Sequence, residues 1–211
     1  MYQHESGYYV PSAEYGRKYL EGLMDDNLPS HNWQHVQACL RACKDSMKVA
    51  IDVGAYIGTW TVHLAQHFDY VYAFEPVPEN FNCLRKNVNG KSVASLKIAL
   101  HSEATHLMMR QYKPHHPYTW SIGSYGEEHE IKTAAVPLDN MPLQELDLLK
   151  INASGHELDI ILGAKNTILK HRPSVIVSEN YDPHRRACAQ LTKWGMKNVW
   201  QNERLYLFTW K

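Results

Sequence analysis

The residues best equipped for chemistry lie where apolar runs end. In LLKINASGHELD, residues 148–159, a strand-like run passes into a helical pattern, and the junction carries Lys150, Asn152, Ser154, His156 and Glu157. Many enzymes keep an acid at such a junction, and here Asn152 and Ser154 stand in that place. An amide cannot take a proton at neutral pH, so Asn152 is no general base, although it can hydrogen-bond an ammonium or a hydroxyl. His156 is a candidate base because an imidazole exchanges protons near neutrality. A first-turn histidine is as easily an exposed surface residue, and the helix N-terminus disfavours its charged form. Glu157 is a candidate acid, but Ser154-x-x-Glu157 also reads as a capping box, with Ser154 capping the helix and Glu157 returning the bond. Lys150 can orient a substrate oxygen or simply snorkel from a strand end. Glu179 closes another apolar run, SVIVSEN (174–180), and is a further candidate for a substrate hydroxyl.

A second constellation lies upstream. MKVAIDVG (47–54) is a β-branched run ending in Asp52 and Gly54, and the turn continues through Ala55, Tyr56, Gly58 and Thr59. Ligands of open parallel sheets bind beyond the carboxyl ends of the strands. A dinucleotide site there needs G-x-G-x-x-G, whose middle glycine admits a pyrophosphate. Gly54 and Gly58 do not have that spacing. Glu75 ends the next strand about 20 residues on, where an acid accepts hydrogen bonds from ribose hydroxyls. A glycine turn with a ribose acid and no phosphate pattern points to an adenosine cofactor without a phosphate at the turn, namely S-adenosylmethionine. The plainer alternative is a tight strand-helix connection with a solvated Glu75.

Positioning these groups requires alternating strands and helices. Strands are predicted at 47–54, 70–76, 93–100, 146–152 and 174–180. Ile57, Trp60, Leu64 and Phe68 recur at helical spacing after the first, ENFNCLRKNVNG follows the second as a helix ending at Gly90, and GHELDIILGAKNTILKH forms one helix between the last two. That alternation implies right-handed crossovers and a mostly parallel sheet covered on both faces. Residues 104–137 break the rhythm as a β-insertion, and KNVWQNERLYLFTWK closes the sheet with an antiparallel hairpin. A helix is expected at 32–46, making residues 1–46 an N-terminal helical extension packed on a domain of residues 47–211.

AIDVGAYIGTWTVHLA, VYAFEPVPENFNCLRKNV and LDLLKINASGHELDIILGAKNTILKHRPSVIVSEN follow in order over about residues 48–180. In these segments the chain resembles the FkbM family of S-adenosylmethionine-dependent methyltransferases. The resemblance implies an α/β, Rossmann-like class I methyltransferase fold with a seven-strand sheet, and O-methylation of a hydroxyl on a glycan or small molecule. It also implies that Asp52, Gly54, Ala55, Tyr56, Gly58 and Thr59 shape the methionine end of the pocket, with Asn152 beside them. Glu75 would hold the ribose, and Pro76, Ala99, Leu100 and His101 would line the adenine. The family pattern K-I-D-V-E-G-x-E is here Lys150-Ile151-Asn152-Ala153-Ser154-Gly155-His156-Glu157, two acids short. Alignment and desolvation can still supply much of the catalysis of methyl transfer.

Composition narrows the class. Lys plus Arg and Asp plus Glu number 22 each, so no global field draws the chain to nucleic acid or an anionic membrane. No apolar run approaches the roughly 20 residues of a membrane span and no signal pattern opens the chain, which predicts a cytoplasmic protein. Cys39, Cys43, Cys83 and Cys188 lack metal or redox spacing and read as buried thiols. His115 and His116, in KPHHPY, lack further ligands at useful spacing, so no metal site is expected. The aromatic and histidine-rich QYKPHHPYTWSIGSYG (111–126) is the candidate acceptor face, with an exposed hairpin tip as the alternative. The basic stretch HRRACAQLTKWGMK (184–197) keeps a nucleic-acid methyltransferase as runner-up. The missing acids keep a non-catalytic cofactor-binding protein as a third reading.

Overall fold

The computed structural model describes residues 1–12, 20, 24–25, 28–29, 33–111, 120–122, 130–179, 182, 184–202 and 205–210. Along the chain the strands are β1 (Tyr2–Gln3), β2 (Tyr9–Val10), β3 (Met24–Asp25), β4 (Leu28–Pro29), β5 (Val49–Val53), β6 (Tyr70–Phe74), β7 (Val93–Leu96), β8 (Ala99–Leu100), β9 (Thr105–Gln111), β10 (Trp120–Ile122), β11 (Glu130–Val136), β12 (Leu148–Ile151), β13 (Ser174–Ser178), β14 (Lys197–Asn202) and β15 (Leu205–Thr209). The helices are α1 (Trp33–Ala42), α2 (Thr61–His67), α3 (Pro78–Asn87), α4 (Glu157–Gly163), α5 (Lys165–His171) and α6 (Arg186–Lys193).

Seven strands form the main sheet in the order β14-β15-β13-β12-β5-β6-β7. From β13 to β7 every pairing is parallel, and β15 alone runs the other way, between β13 and β14. This is the mostly parallel sheet with an antiparallel terminal hairpin that the alternation predicts. The central strands are buried along nearly their whole length, as strands covered on both faces must be. Strand alternation sorts their side chains. Ile51, Val53, Leu149, Ile151, Val175 and Val177 pack with Ile160, Ile168 and Leu191 of α4, α5 and α6. Ala50, Leu148 and Ile176 pack on the opposite face with Val36 of α1 and Leu64 of α2.

Two expected elements are divided. Residues 93–100 do not form one strand: β7 pairs with β6, and after Lys97 and Ile98 the chain leaves the main sheet so that β8 pairs with β11 in a second sheet, β10-β9-β11-β8. The helix predicted from Gly155 to His171 breaks at Ala164 (φ −110°, ψ 9°). Asp139, far away in sequence, explains the restart, because its carboxylate accepts the backbone N–H groups of Asn166 (3.0 Å) and Thr167 (2.8 Å) and so caps α5. Gly163 just before the break is also obligatory: a Cβ there would lie 2.0 Å from the carbonyl oxygen of His101.

Three strands of the second sheet, β9, β10 and β11, fall within residues 104–137, with antiparallel β10-β9-β11 pairings. Residues 112–119, including His115 and His116, and residues 123–129 lie outside the described residues. Before β5 the described helix is α1, and the rest of the segment contributes the short antiparallel pairs β1-β2 and β3-β4. All four cysteines are buried and unpaired with one another.

Asn87, at the end of α3, ties the N-terminal strand to the glycine turn. Its Oδ1 accepts the Tyr9 N–H at 2.7 Å, and its Nδ2 donates to the carbonyls of Tyr9 (2.9 Å) and Ile57 (2.7 Å). Replacing Asn87 with Ala strands these backbone groups and is expected to cost about 1–3 kcal/mol. Urea unfolding reads the loss, and hydrogen exchange should show the amides of residues 8–10 opening before those of β5. Unchanged exchange at Tyr9 in the variant would contradict this anchoring.

Candidate functional site

A cavity of about 260 Å³ opens at the carboxyl ends of β5, β6 and β12. It lies beside the β5-β12 boundary, where strand order departs from chain order, the place an open α/β sheet offers a ligand. Of the residues singled out in the sequence, Gly54, Ala55, Tyr56, Thr59, Glu75, Pro76, Ala99, Leu100, Lys150, Asn152, Ser154 and His156 line it.

The turn after β5 is built on positive φ angles. Gly54 (φ 70°), Tyr56 (φ 55°) and Gly58 (φ 93°) all lie in the left-handed region, which is unfavourable for a tyrosine without compensation. Compensation comes from Glu75. Its Oε2 accepts the Tyr56 N–H at 2.8 Å, its Oε1 accepts the Val77 N–H at 2.9 Å, and the Asn80 side chain also bonds it. Burial pushes the Glu75 carboxyl up to about 7, against these hydrogen bonds, which pull it down. Gly54 is required by close packing, since a Cβ there would sit 2.0 Å from the Asn152 carbonyl oxygen. Gly58 lies outside the cavity lining, and its missing side chain leaves room for Leu84 of α3, which a Cβ would meet at 3.0 Å.

Asp52 also lies behind the cavity rather than on its wall. It is fully buried on the α2 face, where Oδ2 accepts the Thr61 hydroxyl at 2.7 Å and Oδ1 lies 2.7 Å from the Lys150 ammonium. Lys150 is its register partner across β5 and β12. The same ammonium donates to the carbonyls of Val53 (3.2 Å) and Gly54 (3.0 Å). Two of its protons are thus spent on the turn carbonyls while its charge is paired with Asp52. Lys150 touches the cavity, but this geometry gives it a structural role in holding the turn.

Glu157 and Glu179 are likewise occupied elsewhere. Glu157 is buried, and its two oxygens accept the N–H groups of Ala153 (3.0 Å) and Gly155 (2.9 Å); burial raises its carboxyl above the ordinary range. The expected capping box, in which Glu157 returns its bond to Ser154, is not what forms, because the carboxylate takes the N–H groups on either side of Ser154 instead. His156 occupies the N-cap position and Ser154 sits at φ 49°. Glu157 clamps the loop from inside, where neighbouring residues shape the cavity wall. Glu179 is buried one strand beyond the cavity, and its Oε1 accepts the N–H groups of Ala187 (2.7 Å) and Cys188 (3.3 Å) at the start of α6. Neither glutamate lines the cavity.

His156 does line it. His101 follows the lining residue Leu100 but points its imidazole toward α4, with Nε2 3.9 Å from Asp159 Oδ2. The second sheet contributes Met109, Trp120 and Ser121 to the wall. Trp120 and Ser121 belong to the stretch marked as an acceptor face, while most of that stretch lies outside the described residues. Trp60, Val77, Asn80, Ile98, Met109 and Ile160 also line it without having been marked as site residues in the sequence. Asn80 was legible in principle, as a polar residue one helical turn after a strand-end acid.

The Methyltransferase FkbM domain model matches residues 52–206. The chain belongs to the FkbM methyltransferase family. A solved FkbM methyltransferase from Methylobacillus flagellatus KT superposes with TM-score 0.53 and 18% identity over 78% of this chain. The match covers 44% of the Methylobacillus protein, so this chain spans less than half of its length. The N-methyltransferase NodS from Bradyrhizobium japonicum WM9 has TM-score 0.52 and 12% identity, with 88% of this chain and 98% of NodS covered. Precorrin 8W decarboxylase from Methanobacterium thermoautotrophicum has TM-score 0.52 and 15% identity, covering 83% of this chain and 89% of its own. At these identities the solved structures establish the shared class I methyltransferase fold. No curated protein sequence matches. Among the described residues, no helix is long and apolar enough to cross a membrane.

Two outcomes follow from this geometry. Ser154→Ala should change stability by less than about 0.5 kcal/mol, whereas Glu157→Gln turns an amide donor toward one of the two N–H groups and should cost about 1–3 kcal/mol. A loss of about 0.5–2 kcal/mol in Ser154→Ala would restore Ser154 as the cap. Lys150→Met leaves Asp52 buried without its counter-charge and should cost about 3–5 kcal/mol in urea unfolding. A Lys150→Met variant as stable as wild type would return Lys150 to the list of substrate-facing groups.

Proposed function

We propose that the cavity binds S-adenosylmethionine and that this FkbM-family protein transfers its methyl group to a hydroxyl oxygen of a glycan or other hydroxylated small molecule. One observation carries the cofactor assignment: a buried glutamate at the end of β6 faces the cavity directly beneath a strained glycine turn. Its carboxylate has about four acceptor sites. Two hold backbone N–H groups and a third the Asn80 amide, and the capacity left, together with the Asn80 side-chain carbonyl, suits the hydroxyls of a ribose. Pro76, Val77, Ile98, Ala99 and Leu100 supply a mainly apolar wall next to Glu75, as a base ring requires. Gly54, Thr59 and Asn152 bring the polar groups an amino-acid tail needs at the β5-β12 end.

When bound, the cofactor supplies an electrophilic methyl on a sulfonium sulfur. The chain's own contribution is to hold it by Glu75 and Asn152, to exclude water with Met109 and Trp120, and to present His156 on the wall beside Asn152 and Ser154. Of the four side chains considered for the catalytic step, Lys150 and His156 line the cavity, and Lys150 is held in the buried pair with Asp52 while His156 lies 3.6 Å from Asp159. The nucleic-acid alternative draws little support from the basic stretch. Arg186 pairs with Asp182 at 2.7 Å and Arg185 lies over the Tyr206 ring at 5.0 Å.

Glu75 makes the cofactor assignment testable through pH. In the empty protein its carboxyl is raised from 4.5 to about 7, so the stability tied to its protonated form is present below 4.5 and is lost as pH rises through about 7. Ribose hydroxyls favour the ionised form, so binding releases a proton in mild acid. Affinity for S-adenosylmethionine should then rise up to about tenfold per pH unit below 7 and level off above it. Calorimetry across that range reads the slope, and Glu75→Gln should flatten it while lowering affinity by about tenfold or more. A flat wild-type profile with tight binding would remove Glu75 from the ribose site. Transfer of labelled methyl to hydroxylated acceptors tests the reaction, and tight binding without transfer to any acceptor class would favour a binding protein on this fold.

A further inference from the structure

Beside the cavity, three potential metal donors converge from two elements that are distant in sequence. His101 leaves the end of β8, His156 is the N-cap of α4, and Asp159 lies in the first turn of α4. Asp159 Oδ2 is 3.6 Å from His156 Nδ1 and 3.9 Å from His101 Nε2, and the three donor atoms all lie within 4.8 Å of one another. The geometry points to a divalent transition-metal site formed by His101, His156 and Asp159 at the edge of the proposed methyl-transfer cavity, where His156 lines the wall.

Three features support a built site rather than a chance meeting of surface groups. A metal held at about 2.0–2.2 Å by imidazole and carboxylate needs its donors roughly 3.0–3.6 Å apart. The two Asp159–histidine separations approach that spacing, Asp159 has 41% side-chain exposure in which to adjust, and the two imidazoles close the rest by small side-chain rotations. His101 is brought to α4 by a close approach that only glycine allows, because any Cβ at Gly163 would collide with the His101 carbonyl. The other ring nitrogen of His101, Nδ1, faces the Ser102 hydroxyl at 3.4 Å, the kind of partner that orients a ligating imidazole. The nearby cation Arg186 is held at 2.7 Å by Asp182. Two imidazoles and one carboxylate select zinc, cobalt, nickel, manganese or iron rather than magnesium or calcium, which prefer all-oxygen sites.

The inference deepens the methyltransferase reading and rests on it for its chemical role. An acceptor hydroxyl bound to the ion becomes acidic enough to lose its proton to water without a free carboxylate base. The resulting oxygen lone pair then forms the C–O bond as the C–S bond breaks, and that bond's electrons stay on sulfur as a neutral thioether. His156 acts there as a ligand, and the loss of acid character at Asn152 and Ser154 is made good one helical turn further on.

Metal binding can be measured without cofactor or acceptor. The chelator-stripped full-length chain is titrated with Co²⁺, followed by its visible absorption, and with Zn²⁺ by calorimetry, with Mg²⁺ as the control. One Co²⁺ per chain, displaced by Zn²⁺ and unaffected by Mg²⁺, is expected. His101→Ala and Asp159→Asn should each weaken binding on the order of a hundredfold, with folding of both variants checked by circular dichroism. Failure of wild type to take up either ion stoichiometrically would overturn the site. So would stoichiometric binding that survives in both variants, because the ion would then sit on other histidines. S-adenosylmethionine affinity is measured on the same preparations. Metal uptake without cofactor binding would sink the methyltransferase reading and leave the metal site standing, while cofactor binding without metal uptake would do the reverse.

Discussion

Much of the architecture around the cavity hangs on the buried pair of Asp52 and Lys150, 2.7 Å apart. Two charges removed from water carry a desolvation cost of several kcal/mol each, and they remain only where geometry and further hydrogen bonds compensate. Here the lysine charge is further compensated by the carbonyls of Val53 and Gly54, to which it donates. The pair therefore bolts β12 to β5 at their carboxyl ends and holds the first peptide of the glycine turn from below. Thr61 extends the hold to α2. Glu75 then fixes the next part of the turn through the Tyr56 N–H.

The same physical device recurs around the sheet. Carboxylates are used as acceptors for backbone N–H groups that no helix or ladder satisfies. Asp147 holds Lys48 and Val49 at the entry to β5, Asp139 caps α5, Glu157 grips the loop after β12, and Glu179 caps α6. Each aligns a loop whose residues shape the main cavity or the ends of the central strands. Glu75 performs this service too, yet it differs in also facing the cavity, so its acceptor capacity is divided between fold and ligand. That dual use accounts for an acid that tolerates full burial and a raised proton affinity at once.

The second sheet shows how an insertion becomes part of a site. β8 leaves the main sheet to pair with β11, and this detour places Ala99 and Leu100 on one cavity wall. It also turns His101 toward α4, and Gly163 permits the contact. Met109 and Trp120 then close the wall from above. The cavity is thus bounded by the parallel main sheet on one side and by the smaller second sheet on the other.

The fold was largely written in the sequence, because apolar period and turn chemistry act locally. The runs at 47–54 and 146–152, the helical spacing of Ile57, Trp60, Leu64 and Phe68, and the glycines of the turn each declare their element without reference to partners. Glu75 and Gly54 were legible for the same reason, since a strand end and a positive φ are short-range properties. What the sequence could not show is which way a polar side chain spends its hydrogen bonds. Lys150, Glu157 and Glu179 read as equals of His156 until tertiary contacts committed the first to Asp52 and the other two to loop and helix amides. The breaks at Lys97 and Ala164 depended on Asp139 and on pairing with β11, both distant along the chain. His101 and Asp159, 58 positions apart, became neighbours only when β8 left its sheet and packed against a glycine of α4; local periodicity decides elements, and packing between elements decides which charges meet.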